Sequence, residues 1–570
     1  MIKKLLTIVL ALAVLLGCTA CGGGGGGEII DRTRTQIYVS HFAGGFGSEW
    51  LTKIKLDFEE EYKDVSFEED KVGVQVILDN HKNIGSKQLA SIKSDENYIF
   101  INEDVSYWDV VTTETALDIS DVVTGTFDIN KEMKDETIPD IPNSERAIIN
   151  KFTQLQKDSL KIDGLYYTIP HYEAYNGFTY DAELFNKNNY FLADDGVTYT
   201  NETSGITLSA GPDGVKGTYD DGLPATYDEF FLLCEIMISD GVIPMVWSGE
   251  WEMYITQAIN QLAVDANGYA NEQLAYTFNG TSTSWIADWT EDANGRIAPV
   301  AGEKKIENSN GYETFNTEGY FYALDWLERI TRLAGAVHDN SYVDSFSHTG
   351  AQREFMLSNR ENSKKPIAML AEGIWWENES SAFFTNMAGR YPKSSMMERD
   401  FRFLPLPKAT ADKIGKTTLL ESNNAYTFIK ANTPEKYIPL CKLFVQYMNT
   451  TERLQQFTVL TNTPKALMYE MTDAQMDQLT PFGKSILEMK NAEVDGEKYT
   501  EVLYQVSDNP FYLRNRTKLK RVDVFGKGTQ LWPSITMHDN LNTVVGTSKY
   551  YFDNFFMSPW KTGWSNLQAN

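Results

Sequence analysis

Tryptophans set beside carboxylates are the residues of this chain best placed to do chemistry. Trp375 and Trp376 adjoin Glu377 and Asn378, with Glu372 just upstream, and Trp247 and Trp251 flank Glu250. Flat rings with neighbouring acids suit two tasks. They can grip a ligand with an apolar face and a polar edge; or, where two carboxylates stand about 5 to 10 Å apart, they can cleave a glycosidic bond. Metal and nucleophile chemistry is less well served. His41, His81, His171, His338, His348 and His538 include no pair at helical ligand spacing, and no Gly-x-Ser-x-Gly elbow occurs. The segment 211–222 could gather Asp213, Asp220 and Asp221 around calcium, which takes several hard oxygens from a tight turn. Its spacing is not that of an EF-hand, so a solvated Gly-Asp turn is the preferred reading. No cofactor is required.

Those side chains need elements to hold them. Residues 36–42 read as a strand, 43–47 as a glycine loop, and Ser48 as the N-cap of a helix carrying Leu51, Ile54, Phe58 and Tyr62 on one face. The loop lacks the Gly-Lys-Ser/Thr ending of a phosphate cradle. Residues 73–78, 82–92 and 98–101 continue as strand, helix, strand, an alternation that favours mainly parallel sheets flanked by helices. Thr226 with Glu229 reads as a capping box for a helix bearing Phe230, Cys234 and Met237. Thr433 and Pro434 open another, with Tyr437, Leu440, Cys441, Phe444 and Met448 as its buried stripe; Pro439 implies a kink or a later start. The stretches 193–224 and about 266–310 read as surface elaborations.

Composition narrows the classes. With 42% hydrophobic and 13% aromatic residues the chain is globular, and its length allows two or three domains. A formal charge of -28 argues against nucleic acid or anionic lipid as partner. Cys234 and Cys441 lie among apolar residues at helical spacing, which reads as buried thiols, with one long-range disulfide as the alternative.

Lys3 and Lys4, then the apolar run of twelve residues from Leu5 to Leu16, form an export signal. The run is shorter than the roughly 20 residues a spanning helix needs. Leu15-Leu16-Gly17-Cys18 resembles the lipobox of bacterial lipoproteins, which implies an acylated Cys18, with Cys21 as the rival. The six glycines from Gly22 to Gly27 read as a leash, since each has too much backbone entropy to lose.

Four later segments fall into a recognisable order: Tyr166-Tyr167-Thr168-Ile169-Pro170 running into 177–185, Ile367 to Trp376, Phe401-Arg402-Phe403-Leu404-Pro405-Leu406-Pro407, and the stretch from Thr433 to Thr450. The set resembles the extracellular solute-binding proteins of ABC sugar importers, in the group similar to maltose-binding protein. Asp181 departs from that group's usual Asn. The resemblance implies an α/β, two-lobed, type II periplasmic-binding fold, each lobe a mainly parallel sheet with flanking helices and the ligand in a cleft between. It divides the chain into a signal peptide at 1–17, a lipidated tether at 18–35, lobe 1 at 36–172 plus about 402–450, and lobe 2 at 173–401 plus about 451–570.

It further implies a monomeric, non-enzymatic receptor on the outer face of the cytoplasmic membrane, touching that membrane through its lipid anchor only. Hinge closure around a carbohydrate would present the ligand to a permease. A surface glycoside hydrolase, a receptor for a peptide or other polar solute, and a scaffold lipoprotein with no deep cleft are the alternatives. Ligand-binding candidates are Trp50 at the first strand-to-helix turn, Asp104 after the strand 98–101, Tyr172, Tyr175 and Asn176 at the first crossing, Trp247 and Trp251, and Trp375, Trp376 and Glu377. The competing roles are a surface ring at a helix start for Trp50, a plain acidic turn for Asp104, hinge packing for Tyr172, Tyr175 and Asn176, and core packing for Trp375 and Trp376.

Overall fold

Two separate sheets organise the chain, and the segments that pass between them decide the rest. The computed structural model describes residues 29–81, 89–101, 105–291, 295–361, 364–422, 425–519, 524–525 and 532–569. Cys18, Cys21, the glycine leash, Asp104 and most of the helix expected at 82–92 lie outside the described residues.

The first sheet runs in the order Val74–His81, Thr35–Phe42, Ile99–Ile101, Tyr426–Ile429, Ile169–Pro170. Its first three strands are parallel and the last two join antiparallel. The second sheet runs Ile243–Val246, Ile367–Gly373, Asn176–Asp181, Phe401–Phe403, with parallel pairing only between the first two. Both sheets are therefore mixed, where mainly parallel ones were expected. The cause is visible in the register: Asn176, fresh from the crossing, pairs with Gly373 at the far end of its neighbour. A strand arriving from the other lobe enters at the end facing that lobe, opposite in sense to a strand delivered by a βα unit. Ile367–Gly373 is buried at every position, as expected of a central strand covered on both faces.

Three segments cross between the lobes: 171–175, 404–425 and 462–480. They lie side by side, because Ser422 N and Oγ both donate to Ala174 O at 2.8 Å, His171 N donates to Ala425 O at 2.9 Å, and Glu173 N donates to Pro464 O at 3.1 Å. The lobe boundaries shift accordingly. Phe401–Phe403 belongs to the second sheet, so the second crossing follows Phe403 instead of preceding Arg402. The helix Thr451–Thr461 stays with the first lobe, through Arg453 paired to Asp57 at 2.8 Å and Phe457 set against Trp50.

Local signals explain most helices. Glu49–Glu61 buries Trp50, Leu51, Ile54 and Phe58, and each fully buried apolar side chain contributes about 1.5–3 kcal/mol. Tyr227–Ser239 starts where Thr226 accepts from Glu229 N, and buries Phe230, Cys234 and Met237. The helix expected from Thr433 begins at Ile438, with Pro439 in its first turn, where its missing N–H costs nothing. Cys234 and Cys441 are free and buried. Asp181 caps the helix Ala182–Asn188 by accepting from Leu184 N, and pairs with Arg399 at 3.0 Å, both side chains fully buried.

The elaboration at 266–310 contains the helix Tyr269–Thr277 and the hairpin Gly280–Glu291 with Ile297–Ile306. Beyond the third crossing the chain builds mainly onto the second lobe, while Arg516 reaches back to Ser106 Oγ of the first at 3.0 Å. Ser485 Oγ in the helix Pro481–Lys490 accepts from Phe403 N at 2.8 Å, Trp564 Nε1 donates to Asn308 O at 2.9 Å, and Trp560 stacks on Phe315 at 4.0 Å. Among the described residues no helix is long and apolar enough to cross a membrane.

Candidate functional site

Where the lobes meet, one tryptophan is wedged between two glycines. Trp375 follows the end of Ile367–Gly373, and its ring lies against Gly373, where an added Cβ would fall 2.3 Å from the ring. On its other side is Gly45, from the loop after Thr35–Phe42 in the first lobe, where an added Cβ would fall 2.7 Å from Trp375 Cβ. Only glycine allows that approach of backbone to ring. Phe46 and Tyr254 complete the seam, with ring centroids 6.5 and 6.4 Å from Trp375, and Phe46 packs edge-on against Tyr172 at 4.5 Å. The seam thus joins the first lobe (Gly45, Phe46), a crossing segment (Tyr172) and the second lobe (Tyr254, Trp375).

Behind Trp375 the buried Glu372 begins a hydrogen-bond network that runs through buried Gln352 to the exposed Glu379. Glu372 accepts from Gly373 N at 3.2 Å, Gln352 Nε2 donates to Glu379 at 3.0 Å and to Glu372 at 3.5 Å, and Ser380 Oγ donates to Gln352 Oε1 at 2.8 Å. Burial, with Glu379 beside it, raises the Glu372 carboxyl well above the usual carboxylate range. Burial and then those same two acids push the Tyr254 phenol up.

The helix Met253–Asn267 brings Tyr254 to the seam. Tyr254, Gln257 and Gln261 fall at helical spacing, and Gln257, Asn260 and Gln261 line a crevice with Asn176, Leu420 and Ser422 that is too tight to admit water. Gln261 is locked to the second crossing, donating to Thr418 O at 2.8 Å and accepting from Leu420 N at 3.0 Å. The side-chain oxygens of Asn176, Gln257 and Asn260 are buried without a partner. Phe46, Tyr254 and this amide stripe were missed from sequence. The amides carried a signal nonetheless, since polar residues on the buried face of an otherwise apolar helix require partners.

The structure sorts the expected residues. Trp375 and Tyr172 meet at the seam, and Asn176 joins the amide crevice. Trp376 is a core plug, fully buried among Phe355, Phe384, Phe401 and Phe482. Its neighbour Glu377 accepts from Thr480 Oγ at 2.7 Å, and burial pushes its carboxyl up to about 8. Trp50 is 1% exposed, its faces taken by His41, His171, Phe457 and the Lys465 ammonium 4.8 Å from the ring. Trp247 is equally buried, against Tyr342. Tyr175 is consumed within the hinge, its hydroxyl donating to Glu173, which also pairs with Lys490 at 2.8 Å. Trp251 is 47% exposed. A large ring next to a strand end is pulled inward wherever an unfilled core volume lies behind it, which is why Trp50, Trp247 and Trp376 differ from the seam residue expected of them.

No protein-family model matches this chain, and no curated protein matches it. Solved structures do. A binding protein of an ABC transporter from Bifidobacterium animalis subsp. lactis, in complex with mannobiose, superposes with a TM-score of 0.52 at 12% identity, covering 94% of this chain and 95% of that one. The SBP RafE in complex with raffinose gives a TM-score of 0.50 at 14% identity, covering 92% of this chain and 100% of that chain. A chitin oligosaccharide binding protein gives 0.50 at 15% identity, covering 94% and 100%. This chain has the two-lobed α/β fold of those proteins.

Proposed function

We propose that this chain is an extracellular substrate-binding lipoprotein of an ABC transporter, which holds a carbohydrate between its lobes by hinge closure and delivers it to a membrane permease. The observation that carries the reading is the seam itself. An aromatic ring at the end of a second-lobe strand is met by a glycine loop from the first lobe, with aromatic side walls and, on the same helix as Tyr254, a stripe of buried amides. Aromatic faces match the C–H face of a sugar ring and amides match its hydroxyls. Fold likeness to proteins in complex with raffinose and mannobiose adds to it.

Trp375, Tyr172, Trp251 and Asn176 are the residues we assign to the ligand, with Tyr254 and Phe46 beside them. The protein acts as a monomer, makes and breaks no bond, and is held at the outer face of the cytoplasmic membrane by lipid on Cys18, or on Cys21. A hydrolase needs two carboxylates facing the ligand, whereas Glu372 and Glu377 are each 3% exposed or less and engaged by protein donors.

The test is calorimetric titration with a panel of α- and β-linked oligosaccharides, alongside chromatography of the same mixtures. At least one glycan should bind without product, and Trp375→Ala should weaken it by about 30-fold or more, as expected when a central aromatic anchor is truncated. Silence across the whole panel would sink the carbohydrate reading, and appearance of a shorter glycan would replace it with hydrolysis.

A further inference from the structure

The Gly-Asp loop between the small strands at 191–200 and the helix Tyr227–Ser239 buries carboxyl groups that have no ion-pair partner among the described residues. Gly211, Gly214, Gly217 and Gly222 take φ values of +62°, +74°, +84° and +79°, so the loop doubles back on itself in a conformation that side-chain-bearing residues resist. The folding brings Asp213, Asp220 and Asp221 inward. Asp213 is 4% exposed and Asp220 is fully buried.

Local bonds occupy both oxygens of Asp220 and one oxygen each of Asp213 and Asp221. Asp220 accepts from Asp213 N at 2.8 Å and Thr218 Oγ at 2.7 Å, Asp213 Oδ1 accepts from Val215 N at 2.7 Å, and Asp221 Oδ2 accepts from Gly217 N at 2.7 Å. Asp213 Oδ2 and Asp221 Oδ1 remain buried with no partner. Lys216 turns outward to Asp194, and among the described residues no lysine or arginine forms an ion pair with any of the three aspartates. Two bare carboxyl oxygens, withdrawn from water within one tight loop, are stabilised either by a proton or by a bound cation.

We propose that residues 211–222 form a calcium site, with Asp213 Oδ2 and Asp221 Oδ1 as its anionic ligands. Among the described residues no three acidic, His or Cys side chains already converge as a metal cluster. The ion therefore completes its shell with loop carbonyls and water, as calcium does with six to eight oxygens in irregular geometry. The loop offers no nitrogen or sulfur side-chain ligand, which disfavours zinc and copper, and its flexible glycine path does not impose the strict octahedron magnesium needs. The loop also rests on the second crossing, where Gly415 N donates to Pro212 O at 3.0 Å and Ile414 lies against Gly214. Binding there stiffens the segment about which the lobes close.

The experiment is calcium titration of the chelator-treated protein by calorimetry and by thermal unfolding, with magnesium in parallel. One calcium per chain, an affinity on the order of 10⁻⁴ to 10⁻³ M, and a raised unfolding midpoint are expected, with magnesium at least tenfold weaker. Asp213→Asn should abolish uptake. Because that variant alters a buried group, Asp221→Asn, at a half-buried position, is tested beside it and should weaken uptake tenfold or more with unchanged circular dichroism. Asp195→Asn in the neighbouring exposed turn should leave uptake as it was. No uptake by the parent protein, uptake indifferent to Asp221→Asn, or equal response to magnesium would each overturn the assignment.

Discussion

Gly45→Ala tests whether the contact between the lobes is the closing contact. The new Cβ would lie 2.7 Å from Trp375 Cβ and 2.8 Å from Cγ and Cδ1, where carbon atoms prefer about 3.5–4.0 Å. Those three atoms form the root of the side chain, so rotation about the Trp375 side-chain bonds cannot clear them all, and Gly373 blocks the ring from behind. Gly45 is not among the residues with positive φ, so alanine fits the loop when the lobes are apart. The cost falls on the closed state alone. Overpacking of this kind costs about 1–3 kcal/mol, which is roughly a 5- to 150-fold loss of apparent affinity, since affinity scales with the fraction of molecules able to close.

The assay is calorimetric titration with whichever glycan binds the parent protein, paired with small-angle X-ray scattering with and without it. Apparent affinity should fall by the stated factor, the scattering radius of the liganded variant should stay larger than the parent's, and the unliganded unfolding midpoint should hold. Affinity within twofold of the parent, together with an unchanged liganded radius, would refute the argument, because it would mean that Gly45 and Trp375 do not meet in the bound state.

Other perturbations separate packing from binding. Trp376→Ala, which empties a fully buried site among four phenylalanines, should cost about 3–5 kcal/mol in denaturant unfolding. Glu377→Gln should change the pH dependence of stability. The folded carboxyl stays protonated up to about 8, while the unfolded one ionises near 4.3; between those values the unfolded state binds fewer protons, so the parent loses stability as pH rises. The variant should therefore gain stability over the parent at pH 8 relative to pH 4, by up to about 5 kcal/mol as a ceiling. Parallel pH profiles for the two proteins would show that Glu377 ionises freely in the folded state.

Much of the scaffold was legible in the sequence because it rests on local rules. The strand, glycine loop and helix of residues 35–61, the Thr226 start, the delayed helix at Pro439 and the buried thiols all follow from periodicity, capping and backbone restriction. So did the placing of an aromatic at the end of Ile367–Gly373. The crossing boundaries were less legible, because Phe401–Phe403 looks alike in either sheet and its pairing with Asn176–Asp181 spans more than two hundred residues.

Tertiary structure alone decided which aromatic faces the seam. Trp375 and Trp376 are adjacent and chemically identical, yet one meets Gly45, over three hundred positions away, and the other fills a pocket of phenylalanines. Asp181 shows the same dependence: as a departure from the related pattern it had no evident role, until Arg399 proved to be its buried partner. Backbone preferences act over a few residues and are written into the local sequence, whereas the side of a turn on which a side chain is buried depends on the volume and charge that distant segments bring to it.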